Sequence, residues 1–289
     1  MNKTDLSFLC NEKIRETKFK GLKIGGALSV PFVDEDNKGT NFKKPLLALE
    51  FLFSSKELKQ SLEKENSADI ISIKFDISEE NLEQQIEKAK DFLLSEKELL
   101  SKKPLILRGA NNNEIDRKLI PVLCETAPDE AIIAFADEQT YEDIVPFVLK
   151  HNHLLVLRTP IDINLAKELN ILTTDKGLNP DRILIDPDMG GLGYGLDYGY
   201  SIIERIRQAA FEGDKMLNMP IIAFIGEESY RAKEAKSDTF PPEWGSFGER
   251  SVMWEISGAS AMISAGADIV VLWNPKSVEI LKNMFEGQS

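Results

Sequence analysis

Cysteine and histidine are scarce in this chain: 289 residues carry 2 Cys and 2 His. Cys10 and Cys124 cannot build a disulfide scaffold, and they cannot supply the four thiolates of an iron–sulfur cluster. His151 and His153 are too few for most zinc sites without carboxylate help. Long apolar runs are also missing. No stretch approaches the ~20 consecutive apolar residues of a transmembrane helix. The opening segment is charged and lacks the apolar centre of a signal peptide. A reducing cytoplasm is the expected setting. Positive charge is in deficit, with 35 Lys and Arg against 48 Asp and Glu, a formal charge of −13. Such a chain is a poor candidate for gripping nucleic acid or an anionic membrane through a broad basic face. Also lacking are an HExxH motif, a Ser–His pairing and a lysine at a strand end suited to a Schiff base.

What is present is a repeating alternation. Short apolar runs rich in β-branched residues lie at 47–53, 70–76, 104–110, 131–136, 153–160, 182–188, 220–227 and 268–275. Each is followed by a helical pattern, at 54–65, 78–99, 114–126, 138–150, 161–174, 198–215, 250–265 and 276–285. Ser78 and Asp137 read as helix-start signals, and Gly266 falls where a helix-ending left-handed residue is wanted. Strict alternation demands parallel strands joined by crossovers. Eight such units are the arithmetic of a closed (β/α)₈ TIM barrel, an α/β fold. An open doubly wound sheet would alternate in the same way, so closure rests on the count. The domain reading is an N-terminal extension over 1–46 and a barrel over 47–289. Within the extension, 23–33 reads as a hairpin or plug across one barrel end.

Barrel chemistry sits at the carboxyl ends of the strands, which nominates residues without any motif. These are Glu50, Asp76, Arg108, Gly109, Asn111 to Asn113, Asp137, Arg158, Thr159, Asp162, Asn164, Asp186, Asp188, Glu227, Glu228, Trp273 and Asn274. Asp186, Asp188 and Glu227 suit a divalent metal or acid–base work, or else simply turns and caps. The Asn111–Asn113 triplet suits reading a heterocycle edge, or else a turn and a helix cap. The glycines of 186–200 leave backbone amides bare to a flat or anionic ligand, or else form a flexible lid. The loop 241–247, with Trp244 and Phe247, suits stacking on a planar cofactor, anchoring a partner or packing over the mouth. The His pair lies at the amino end of the fifth strand and reads as structural. Cys124 reads as a small buried hydrophobe.

At these residues the sequence resembles the small (delta) subunit of the corrinoid iron–sulfur protein, part of the acetyl-CoA decarbonylase/synthase system. Thr159-Pro-Ile-Asp-Ile-Asn-Leu-Ala-Lys-Glu-Leu-Asn170 carries the likeness in the fifth unit. Asp186-Pro187, Gly191-Leu-Gly-Tyr-Gly195, Tyr198, Tyr200 and Glu204-Arg-Ile-Arg207 carry it in the sixth. Lys233-Glu-Ala235, Trp244-Gly245, Trp254-Glu255, Gly25-Gly26 and Pro31-Phe32 add to it. The sequence departs at Asp188-Met189, where the family usually has two threonines, and at Gly190-Gly191. It also lacks the Lys expected before Asp116.

The resemblance implies a barrel capping a corrinoid (cobamide) shared with a large corrinoid/iron–sulfur subunit in a heterodimer, with the cluster in the partner. It implies methyl transfer from a methyl-tetrahydropterin, through a methyltransferase, to acetyl-CoA synthase in the reductive acetyl-CoA pathway, with transient contacts to both. On this reading the chain has no complete active site of its own. Asp186, Asp188, Gly191, Gly193 and Tyr194 are expected near the corrin, with Asn111, Asn113 and Asp162 behind them. The alternative is a stand-alone pterin-binding methyltransferase barrel, with Asp76, Asn111, Asp162 and Asp186 on the pterin. A metal-dependent aldolase or hydrolase is a third possibility.

Overall fold

A computed structural model of the protein describes residues 13–27, 43–188, 195–237 and 239–286. A hairpin of β1 (Glu16–Phe19) and β2 (Leu22–Gly25) comes first. Then strands and helices alternate: β3 (Leu46–Leu52), α1 (Leu58–Lys64), β4 (Ile70–Lys74), α2 (Leu82–Ser95), α3 (Lys97–Leu100), β5 (Leu105–Arg108), α4 (Asn113–Thr126), β6 (Ile132–Ala136) and α5 (Tyr141–His151). There follow β7 (Leu154–Arg158), α6 (Ile163–Asp175), β8 (Ile183–Asp186), α7 (Leu196–Phe211), β9 (Ile222–Phe224), α8 (Gly226–Arg231), α9 (Lys233–Lys236), α10 (Phe247–Ala265), β10 (Ile269–Leu272) and α11 (Pro275–Glu286).

The eight strands β3 to β10 pair in parallel in the order β8-β7-β6-β5-β4-β3-β10-β9. A parallel bridge between Ile185 and Ile221 joins the two ends, and the Ile185 amide donates to Pro220 O at 2.9 Å. The expected barrel is therefore present, and each of the eight apolar runs contributes a strand. Toward their amino ends the strands are apolar on both faces because each face is covered. The outward set, such as Leu47, Leu49, Ile71, Ile73, Leu105 and Leu107, packs under the helices. The inward set, including Ala48, Ile70, Ile106, Ile132, Leu154, Leu184, Ile222 and Ile269, fills the barrel.

The hairpin closes the amino end of the barrel. Its turn, Lys20-Gly21, has φ of 44° and 83°, the left-handed pair that a tight hairpin wants. Phe19 and Ile24 insert into the inner cluster. Arg15 ties the hairpin down through Asp181 at 2.5 Å, and its amide donates to Asn218 Oδ1 at 2.8 Å. The plug thus runs over Glu16–Gly25 rather than 23–33, and 28–42 lie outside the described residues. Arg207 braces the same end, donating to Met219 O and Gly266 O at 2.9 Å each and pairing with Asp268.

Some local expectations change. Ser78 is not the cap of α2; Asn81 stands there with φ 52°, and Ser78 bonds Gln85 instead. The helix expected over 78–99 breaks into α2 and α3. Asp137 accepts the amides of Gln139 and Thr140 in the turn before α5, whose first flanking residue is Thr140. Gly266 ends α10 in the left-handed conformation with φ 118°, as expected. His153 is buried and structural: Ala131 N donates to its Nδ1 at 3.2 Å, so Nε2 carries the proton and meets Cys124 O at 2.9 Å. Burial pushes the Cys124 thiol up to about 12, which leaves it inert.

Candidate functional site at the carboxyl end of the barrel

Above the apolar floor the inward positions turn polar. The parity that sends Ala48 inward also sends Glu50 inward, and the parity of Ile70 brings Ser72 and Lys74 with it. Lys74 ends β4 beside Arg108 at the end of β5, and Arg158 ends β7 beside Asp186 at the end of β8. The register of β6 shifts between Ala134 and Ala136, and Phe135 joins the inner cluster there. Its ring meets Phe224 edge-on, with centroids 4.8 Å apart.

Two ionic groups stand on this aromatic floor. In the first, Arg108 donates to Glu50 Oε2 and Glu227 Oε2, each at 2.7 Å. Lys74 Nζ lies 2.7 Å from both oxygens of Glu227. Arg231, one helical turn on, reaches Glu227 Oε1 at 2.5 Å. Glu50 also accepts from Ser72 Oγ at 2.9 Å and from Trp273 Nε1 at 2.8 Å. Burial opposes the charge on Glu227, but Arg108, Lys74 and Arg231 outweigh it and hold the carboxyl down at about 2. Lys74 is not among the residues the sequence nominates, and the expectation concerned a strand-end lysine suited to a Schiff base. Lys74 is buried at a strand end, although its amine is an ion-pair partner of Glu227.

In the second group, Arg158 donates from Nε to Asp186 Oδ2 at 2.7 Å and from Nη1 to Asn111 Oδ1 at 2.9 Å. Its guanidinium carbon lies 3.3 Å from the Phe135 centroid. Burial raises the Asp186 carboxyl despite Arg158. Asp188, in the left-handed region at φ 39°, turns its amide onto Asp186 Oδ1 at 3.0 Å. Lys74, Arg108 and Arg158 therefore face Glu50, Glu227 and Asp186, three cations against three carboxylates, all largely out of water. Balance of this kind is required where removing one partner would leave a buried charge.

The strand-end loops are braced from the helices behind. Asp116 of α4 accepts the amides of Ala110, Asn111 and Asn112 at 2.7, 3.0 and 3.1 Å. Its carboxylate fits against Gly109, where a Cβ would come within 2.4 Å of Asp116 Oδ1. Burial raises Asp116 to about 6. Glu255 of α10 accepts the Trp273 amide at 2.6 Å, and burial raises it to about 7.

The nominated residues divide. Asn111, Asp186, Asp188, Glu50, Arg108, Arg158, Glu227 and Trp273 come together in the mouth. Asn112 caps α4 and Asn113 Nδ2 bonds Gln139 at 2.9 Å. Asp162 is exposed and caps α6, accepting from Asn164 N at 2.8 Å. Asp76 holds the loop at Ser54. Gly191, Gly193 and Tyr194 lie outside the described residues. Among the described residues no cluster of three or more His, Cys, Asp or Glu is placed to hold a metal ion. Ser72 and Lys74 are additions, and their signal is the alternation Ile70-Ser72-Lys74 on one strand face. Phe135 and Phe224 carry no comparable mark in the sequence, and Glu255 stands only in the Trp254-Glu255 pair of the resemblance.

Among the described residues, a cavity of about 30 Å³ lies between Arg108, Asn111, Arg158, Asp186, Asp188, Phe224, Glu227 and Glu228, roughly the room of one water. Among the described residues, Tyr198 of α7, Trp244 ahead of α10, and Phe247 and Met253 of α10 are each 43 to 62% exposed and form an apolar rim. Phe240 stacks on Trp244 at 4.6 Å, and Tyr230 meets Phe247 and Trp273. The loop read over 241–247 holds a 3₁₀ turn at Pro242–Trp244, and α8 and α9 lie between β9 and that loop.

Comparison with known proteins adds the following. Residues 36–287 match the family described as CO dehydrogenase/acetyl-CoA synthase delta subunit. Acetyl-CoA decarbonylase/synthase complex subunit delta of Methanocaldococcus jannaschii is 32% identical over 183 residues, 63% of this chain and 44% of that protein. Subunit delta 1 of Methanosarcina thermophila is 34% identical over 190 residues, 63% of this chain and 43% of that protein. The chain thus matches less than half the length of these relatives. Among solved structures, Yersinia pestis dihydropteroate synthase with a pterine-sulfa conjugate superposes with a TM-score of 0.63 at 13% identity, covering 94% of this chain and 98% of that one. The Coxiella burnetii dihydropteroate synthase complex with pteroic acid gives a TM-score of 0.56 at 16% identity, covering 88% and 96%. These likenesses concern the fold.

Proposed function

The chain belongs to the family of the CO dehydrogenase/acetyl-CoA synthase delta subunit, and from that premise we propose that it is the small subunit of a corrinoid iron–sulfur protein. Its barrel lies across a cobamide held mainly by a large corrinoid/iron–sulfur subunit, and it has no complete active site of its own. The observation that carries this reading is a mouth filled by the chain's own ion pairs beneath an exposed apolar rim. A pocket enzyme keeps a concave, largely preformed site of ~300–1,000 Å³. The cavity of about 30 Å³ among the described residues does not fit a corrin, or a pterin, as a socket. The rim fits a flat face as a wall. Exposed Tyr198, Trp244 and Phe247 are the side-chain types enriched where one protein covers another. The closed mouth weighs against the stand-alone pterin-binding alternative.

The cobamide, in the paired protein, supplies the cobalt on which a methyl group passes from a methyl-tetrahydropterin donor to acetyl-CoA synthase. This chain's residues orient and shield. Its aromatic rim excludes water from whatever lies against it. The Gly190–Tyr200 stretch and the 241–247 loop carry the partner contacts. Co-expression with a large subunit, followed by size exclusion read across the corrin and iron–sulfur absorbance bands, tests the proposal. A coloured 1:1 heterodimer that loses corrinoid without this chain is the expected result. A colourless chain that elutes alone contradicts it.

A further inference from the structure

At the amino end of β4 and β5, opposite the mouth, the barrel wall is thinly covered. Ile71 and Leu105 are register partners on these two strands and belong to the outward set under the helices. The cover there is short: α1 has 7 residues and α3 has 4, against 14 in α2. Seven residues of helix reach only ~10 Å. Leu62 of α1 and Leu99 and Leu100 of α3 therefore stand around Ile71 and Leu105 without closing over them. Among the described residues they bound a cavity of about 170 Å³. Protein interiors hold few voids larger than a water, and an apolar void of ~150 Å³ takes up a benzene ring.

The rest of the lining is charged: Glu63, Glu65, Lys102 and Lys103. Glu65 is already engaged, since its Oε1 accepts Ser67 N at 2.6 Å, Ser67 Oγ at 2.8 Å and Ala68 N at 2.7 Å. Asp69 is turned to the Leu47 amide at 2.9 Å. Lys103 Nζ donates to Ala68 O at 3.0 Å and stands 3.9 Å from Glu65 Oε1. An ammonium carries three donors, so the bond to Ala68 O leaves it capacity for a further acceptor. Burial lowers the Lys103 pKa, and the nearby charge of Lys282, which donates to Ser67 O at 3.0 Å, lowers it further. An anion beside Lys103 relieves both. We propose that this cavity binds a small apolar carboxylate, its aryl or branched alkyl body against Ile71, Leu99 and Leu105 and its carboxylate on Lys103. Exposed Lys102 adds positive charge at the entrance, in a chain whose formal charge is −13. The site is separate from the partner contacts of the mouth.

The test is a fluorine NMR titration of the full chain with para-fluorobenzoate, with para-fluorobenzamide as the uncharged isostere and acetate as the anion without a ring. The expected result is saturable binding of fluorobenzoate, with cross-relaxation from its ring to the methyls of Ile71, Leu99 and Leu105. Fluorobenzamide binds at least ~5-fold more weakly, and acetate does not compete. Lys103→Met weakens fluorobenzoate by the same ~5-fold and leaves fluorobenzamide unchanged. Leu99→Trp, which fills the cavity, abolishes binding of both. An unmodified chain without saturable binding overturns the proposal. So does cross-relaxation confined to methyls elsewhere, or fluorobenzamide bound as tightly as fluorobenzoate.

Discussion

The two halves of the barrel interior differ sharply. The lower half, from the hairpin plug upward, is built of Phe19, Ile24, Ala48, Ile70, Ile106, Ile132, Leu154, Leu184, Ile222 and Ile269. The upper half, two or four residues further along the same strands, holds Glu50, Ser72, Lys74, Arg108, Arg158 and Asp186. Both are filled by side chains, and the barrel shape needs only the filling. Well-packed hydrophobic residues in place of buried ion pairs are often neutral or stabilising. Stability alone therefore gives no reason for the upper half to be ionic. The lower half maintains the fold, while the upper half maintains a shaped, charge-balanced surface at the end of the barrel where chemistry occurs.

The largest expected effect breaks that balance. Arg108→Met leaves Glu50 uncompensated and removes one of the cations on Glu227, and urea unfolding should show a loss of ~3–5 kcal/mol. Adding Glu50→Gln should restore part of it, which would be the mark of a charge imbalance rather than a packing defect.

The next effect is pH, and the carboxyls raised furthest by burial stand at the upper end, while at the amino end burial lowers His153. Asp116 and Glu255 stand at about 6 and about 7 in the folded chain against ordinary values of 3.8 and 4.5. A carboxyl raised by folding stabilises the fold while protonated. That contribution is complete below the ordinary values and is lost as pH climbs through the folded ones. Glu227 runs the other way. Its value of about 2 lies below the ordinary 4.5, so its contribution is present above that value and is lost as pH falls toward 2. The urea midpoint should rise from pH ~8 to ~5 and fall below pH ~4. Asp116→Asn with Glu255→Gln should flatten the first trend.

In the lower half, Ile132→Val should cost only ~0.5–1.5 kcal/mol, with no dependence on pH. A clear pH dependence there would dissolve the contrast between the halves. Smallest of all, Trp244→Ala on the exposed rim should shift stability by less than ~0.5 kcal/mol.

The fold was legible because eight apolar runs and eight helical patterns alternate, and parallel barrels admit little else at that count. Element ends were less legible. Ser78 and Asp137 are good capping residues, but Asn81 and Thr140 flank the helices, since local turns compete for the same side chains. The site was legible where a charge ends a strand, as at Arg108, Arg158 and Asp186. Lys74 and Ser72 could have been found from the parity that flagged Glu50. Phe135 could not, because it lies at a register shift where parity fails. Glu255 lies on a helix, and only tertiary packing brings it to Trp273. Asp162 and Asn112 show the converse, since the same residue types serve as ordinary helix caps.

The central claim is that a closed mouth and a bare rim belong to a subunit that covers a partner. It is tested most directly by replacing Trp244 and Phe247 together with Ser and measuring affinity for the large subunit by calorimetry. The account predicts at least ~10-fold weaker binding with the urea midpoint of the isolated chain unchanged. Undiminished binding by the folded double variant would contradict it.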